Sequence, residues 1–161
     1  MTSSNEIFER RLKTLLRHID NVRNACVILG ERLINKGEVE LGLTLIKNGY
    51  QHDNSKFSGI EWEYLNGELE IADKEKLEMA ILQHSKANPH HPEYWGGIEN
   101  MPRVYVAEMI CDWYSRSNEF GSDVREWIKD KATKKFNFTY QSKAYKQIKE
   151  LLDILLDPSF K

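Results

Sequence analysis

The 161-residue chain carries 23 Lys and Arg against 25 Asp and Glu, a formal charge of -2, with 40% hydrophobic and 30% charged residues. That length supports one domain with a real core and is short for two. The balanced charge excludes a general attraction to nucleic acid or anionic membrane, and no apolar run approaches the roughly 18 residues of a membrane span.

Taken in chain order, the apolar pattern is helical almost throughout. Ile7, Leu12, Leu15, Leu16, Ile19, Val22, Cys26, Leu29 and Leu33 recur at three- and four-residue steps and predict a long helix over residues 5–35. Ser3 or Ser4 would cap it and Gly37 would follow it. A second helix is predicted over 38–50, ending near Gly49, and a short third over 56–64 opened by Ser55 or Ser58. Asp73 caps the next helix, which runs through His84 until Pro89 and Pro92 stop it. A loop through Gly96-Gly97 leads to a helix over 103–118, and Ser122 or Asp123 caps another over 124–135. Residues 135–140 (KFNFTY) alternate briefly and predict an extended connector before a last amphipathic helix over 142–156. The expected fold is a single all-α domain over 1–161, its motif-bearing core at about 5–130 and its C-terminal helices at 131–161. Cys26 and Cys111 sit in apolar helical contexts and are expected to be reduced core thiols, which suits a cytoplasmic protein with no leader-like segment.

All five histidines fall where a metal site would need them. His18 shares a stripe with Leu15, Val22 and Cys26; His84 follows Ala80 and Ile81; His90 and His91 follow Pro89 in a turn. Asp112 lies one turn after Glu108 on an apolar helix, where an unpaired carboxylate would be costly. Neighbouring helical residues point about 100° apart, so His52 and Asp53 can serve one cluster only beyond a helix end. They stand just after Gly49. Imidazole with carboxylate is the ligand chemistry of zinc, manganese and iron.

The order His18, His52-Asp53, His84, His90/His91, Asp112 in an all-helical chain resembles the HD-domain superfamily of metal-dependent phosphohydrolases. His52-Asp53-Asn54-Ser55-Lys56 is similar to that superfamily's HD-x-[GS]-K variant, and His90-His91-Pro92-Glu93 to the HHxE stretch of the branch that hydrolyses cyclic dinucleotides. The chain is also similar to a small bacterial and phage family with HDxSK and NxHHPEYW segments. The GYP triplet of the cyclic-dinucleotide branch is replaced by Tyr94-Trp95-Gly96-Gly97. The resemblance implies an HD-like helical bundle holding one or two divalent ions (Fe, Mn or Zn). His18, His52, Asp53 and Asp112 would hold the first, and His84 with His90 or His91 a second bridged by Asp53.

A nucleotide or related small phosphoester is the implied substrate, with Asp53, Lys56 and Glu108 as catalytic candidates. Lys56, Asn88, Tyr94 and Trp95 are the substrate-binding candidates, the aromatic pair as stacking partners for a base. Glu61 and Glu93 are further acid/base or outer-shell candidates. Two other readings use the same residues: a di-iron oxygenase of HD fold, and a non-enzymatic module with a structural metal. Lysines 129, 131, 134, 135, 143 and 146 interleave with Phe136, Phe138, Tyr140 and Tyr145, but their acidic neighbours favour a solvated face over nucleic-acid contact.

Overall fold

The computed structural model describes residues 4–65 and 73–159. It is all-α: no strand occurs among the described residues. Helix α1 (Ser4–Asn35) and α2 (Val39–Gln51) form an antiparallel hairpin, against which α5 (Arg103–Glu119) and α8 (Lys143–Leu155) pack. The stripe read on α1 supplies Val22, Cys26, Leu29 and Leu33, all fully buried, to one core with Ile110, Cys111, Ile148 and Leu151. Arg32 Nη1 donates to the carbonyls of Ile154 and Leu155 at 2.9 and 2.7 Å. The last turn of α8 thereby satisfies acceptors that a helix end leaves open. No described helix is long and apolar enough to cross a membrane.

Small residues bring α1 and α2 unusually close. A Cβ on Gly30 would stand 2.8 Å from the Gly42 carbonyl oxygen, and one on Gly42 would strike the Gly30 carbonyl. One on Gly49 would meet Cys26 Cβ at 2.7 Å. This contact carries the end of α2, and the His52-Asp53 pair after it, onto the face of α1 that bears His18. Gly42→Ala gains helix propensity worth up to about 1 kcal/mol, but its methyl meets backbone that cannot rotate away. A net loss of about 1–3 kcal/mol is expected in a denaturant titration; wild-type stability would show that the hairpin can part without cost.

The remaining helices frame the site. After α2 comes a 3-10 turn (Asn54–Phe57), then α3 (Gly59–Tyr64). The helix expected over 56–64 is thus two pieces, broken at Ser58, which is extended. Helix α4 (Lys74–Ala87) begins at the expected cap, Asp73 accepting from Lys76 N at 3.1 Å. Two 3-10 turns (Pro92–Trp95 and Ile98–Asn100) follow. Past α5, the cap is Asp123 rather than Ser122, accepting from the amides of Arg125 and Glu126. The helix expected over 124–135 is interrupted: α6 (Val124–Trp127) and α7 (Thr133–Lys135) flank a π segment, Ile128–Ala132. Residues 135–140 do not extend. Lys135 ends α7 and the chain turns at Asn137, φ 50°, because no strand among the described residues offers a ladder and Phe136 and Phe138 turn into the core instead. The expected Ser3 cap lies outside the described residues; Ser142 caps α8 by accepting from Tyr145 N.

Candidate metal centre

Five elements deliver the site. α1 carries His18, α4 His84 and α5 Asp112, while His52-Asp53 and His90-His91 occupy breaks between helices. His52 leaves α2 with ψ 132°, and Asp53 adopts the left-handed conformation at φ 56°, ψ 20°. A non-glycine residue rarely takes that conformation, though a short polar side chain tolerates it. The reversal is what lets two consecutive side chains face one cluster. In the second break, Trp95 Nε1 donates to the Pro89 carbonyl at 2.8 Å and pins the turn that presents His90 and His91.

Asp53 lies at the centre, 1% exposed, and its two oxygens face opposite ways. Oδ2 is 3.7 Å from His18 Nε2 and 3.6 Å from His52 Nε2; Asp112 Oδ1 is 3.1 Å from the same His18 nitrogen. Oδ1 is 3.3 Å from His84 Nε2 and 3.4 Å from His90 Nε2. Two donor groups flank Asp53, His18, His52 and Asp112 on one side and Asp53 itself with His84, His90 and His91 on the other, and His52, His90 and Glu108 make a third, with donor atoms within 4.8 Å of one another in each. Any of the three could hold a metal ion. His18 Nε2, His52 Nε2, His90 Nε2, His91 Nε2, Asp112 Oδ1 and both Asp53 oxygens are buried with no hydrogen-bond partner. Lys56 Nζ, 2.7 Å from Asp53 Oδ2, pairs with it by charge rather than by an aligned hydrogen bond. Buried polar atoms are normally bonded, so convergent orphans of this chemistry fit a bound cation.

Behind the rings stands a second layer of carboxylates. Glu119 Oε1 is 3.0 Å from His18 Nδ1, and Glu61 Oε2 is 2.8 Å from His84 Nδ1. Glu108 Oε1 reaches two imidazoles, His52 Nδ1 at 3.1 Å and His90 Nδ1 at 3.4 Å. An ionised carboxylate only accepts. Each Nδ1 therefore carries the proton, leaving the Nε2 lone pair turned toward Asp53, as metal-binding histidines require. The carboxylates are held in turn: Glu108 accepts from Asn48 at 3.1 Å, Glu61 from Ser55 at 2.7 Å, and Glu119 from Asn21 at 3.0 Å.

The electrostatics of the metal-free cluster follow from this layering. Burial pushes Asp53 upward, yet the charges of His52 and Lys56 and the close His84 and His90 rings hold it well below the usual carboxylate range. Glu108 is likewise raised by burial and lowered further by its bonds to His52 and His90, settling at about 2. His90 is disfavoured as a cation by burial, but Asp53 and Glu108 raise it to about 10. His91, with no carboxylate behind it, falls to about 3 through burial and the neighbouring His90 and His84. His90 thus holds a proton that a bound cation would displace, whereas His91 is already neutral.

Residues 8–157 match the model of a protein family described as a family of unknown function, DUF5662. The chain belongs to that family. No curated protein and no solved structure matches it. The metal-donor geometry of this DUF5662 chain therefore rests on its own residues.

A chamber of about 530 Å³ opens onto the cluster, lined by His18, Lys56, His84 and His91 on the site side. All seven expected metal ligands come together, and His90 and His91 both lie in the group with His84. Of the two, His90 is braced by a carboxylate while His91 faces the chamber. Of the other candidates, Glu108 stands behind the imidazoles, which suits positioning rather than proton transfer. Asn88 Nδ2 lies 3.1 Å from His84 Nδ1, 3.0 Å from Ser55 Oγ and 2.9 Å from the His84 carbonyl. Trp95 is committed to the Pro89 carbonyl and packs on Tyr105, and neither it nor Tyr94 lines the chamber. Sequence reasoning missed Glu119. Its signal was present: Glu108, Asp112 and Glu119 lie four and seven residues apart, one face of α5.

Proposed function

We propose that this chain is a metal-dependent phosphohydrolase of HD type acting on a small phosphoester such as a nucleotide. The observation that carries the reading is buried Asp53, with one oxygen toward each donor group, behind a chamber whose wall includes His18, His84, His91 and Lys56. His18, His52, Asp53 and Asp112 would hold one divalent ion, and Asp53, His84 and His90, with His91, a second. Such ions supply charge neutralisation at a phosphoryl group and a water acidified toward neutral pH. The chain's own contribution is orientation and charge. Glu61, Glu108 and Glu119 fix the imidazoles, and Lys56 offers a cation to a phosphoryl oxygen entering beside Asp53. His91 keeps a neutral nitrogen on the chamber wall.

The test is elemental analysis of protein purified without chelator, then a phosphate-release screen over nucleotides with manganese, iron and zinc. Bound metal with chelator-sensitive hydrolysis is the expected result. Iron with dioxygen consumption and no hydrolysis would favour the oxygenase reading, which the same donors serve. Metal whose removal melts the fold, with no turnover, would favour a structural role, although closed structural sites rarely face a chamber of this size. Lys56→Ala should keep the metal content while raising KM for an anionic substrate about tenfold or more; unchanged kinetics would remove Lys56 from the site.

A further inference from the structure

Arg11 lies seven residues before His18, two turns up the same face of α1, and Thr14, Leu15 and His18 line the chamber with it. At 1.5 Å rise per residue, the two positions are about 10 Å apart along the axis. Its Nε is buried with no hydrogen-bond partner, and among the described residues no acidic side chain pairs with it. The other cations of the wall are engaged: Lys56 with Asp53, Arg116 with Glu119 at 3.2 Å, and Lys135 over the Phe136 ring. Leu15, Leu77 and Ile81 give the same wall apolar surface, beside Thr14 and the carboxylates of Glu61 and Glu93. A guanidinium donor without a partner, two turns along α1 from His18 in the same chamber, fits a fixed acidic group on whatever fills the chamber.

We propose that Arg11 anchors a second anionic group of the substrate, so that the preferred class is a phosphoester bearing a further phosphate or carboxylate about 10 Å from the phosphoryl group at the cluster. The inference rests on the phosphohydrolase reading for the first group and adds the second. A planar fork makes Arg suited to either acid, bound through two parallel hydrogen bonds. The two-turn separation of Arg11 and His18 sets the spacing: a mono-anion leaves Arg11 unpaired, and a short dianion cannot reach it.

Calorimetric titration of manganese-loaded protein tests this without turnover. The probes are inorganic phosphate, hexyl phosphate, a two-carbon bisphosphate, a six-carbon α,ω-bisphosphate and a six-carbon ω-carboxy phosphate. The six-carbon dianions should bind roughly ten- to a hundredfold tighter than hexyl phosphate, the gain expected of a charge-assisted bond, and the two-carbon compound should show no such gain. Whichever six-carbon dianion binds tighter identifies the acid. Arg11→Gln should erase the preference while leaving metal content and inorganic phosphate binding at wild-type values, and Arg11→Lys should retain part of it. Equal binding of hexyl phosphate and both six-carbon dianions by the wild type would overturn the proposal, whether or not the variants fold. So would an undiminished preference in a folded, metal-loaded Arg11→Gln. If inorganic phosphate itself fails to bind the metal-loaded protein, the phosphohydrolase reading falls, and the Arg11 proposal with it.

Discussion

On the proposed dinuclear reading, Asp53→Asn is expected to reduce bound metal from two ions to at most one and to remove turnover, with helical content unchanged. The substitution is nearly isosteric, and Asn also tolerates the left-handed backbone found at φ 56°. The course of the chain between α2 and the following 3-10 turn should therefore survive. What changes is the donor set. Asp53 presents Oδ2 toward His18 and His52 and Oδ1 toward His84 and His90. An amide can offer oxygen to only one side, and its NH2 turns donor hydrogens on the other. One group then loses its central ligand, and the second keeps a neutral oxygen in place of a charged one. Because losing an outer-shell partner already costs 10–100-fold in affinity, loss of the shared ligand should cost more than about 100-fold at the abandoned position. Asp53→Ala removes both oxygens and should empty both positions. Elemental analysis after dialysis, beside a far-ultraviolet circular dichroism spectrum, decides the matter. Two equivalents retained in the folded Asn variant would mean that Asp53 is not shared.

The convergence of the candidate metal donors was readable from sequence because periodicity fixes which way a helical side chain points. His18, His84 and Asp112 sit on buried stripes, and the break after Gly49 left room for His52 and Asp53 to converge. The left-handed backbone at Asp53 was beyond reach, since it depends on how closely the Gly30–Gly42–Gly49 contact seats α2 on α1. The partners of the imidazoles were half visible. Glu61 and Glu108 stood out as acids near the motif, but which ring each one meets is set by packing between helices far apart in sequence. Glu119 and Arg11 went unread for the opposite reason: each looks like an ordinary charged residue near a helix end until the chamber and His18 are placed beside it. Closeness in sequence to His90 and His91 suggested a stacking role for Tyr94 and Trp95, and neither of them lines the chamber. Trp95's N–H is used up in holding the turn. The alternation in residues 135–140 misled because a strand needs a partner, and this fold offers none among its described residues.

Three carboxylates standing behind the rings give the metal assignment its sharpest quantitative consequence. Glu119 orients only His18, Glu61 only His84, but Glu108 orients His52 on one side of Asp53 and His90 on the other. Replacing each by Gln keeps the volume and removes the ionised acceptor that fixes the Nδ1–H tautomer. Glu119→Gln should then weaken the ion near His18 and Asp112, and Glu61→Gln the ion near His84, each by about 10–100-fold and each leaving the other position close to wild type. Glu108→Gln should weaken both together, by a similar factor at each. Competition titrations with a chromogenic chelator resolve two stepwise affinities and therefore distinguish one-step from two-step losses. A purely structural role for Glu108 would instead lower thermal stability of the metal-free protein while leaving both affinities intact, and that result would separate the outer layer from metal binding altogether. Two single-step losses and one double-step loss are a pattern that only a pair of ions sharing Asp53 and braced in common by Glu108 would produce.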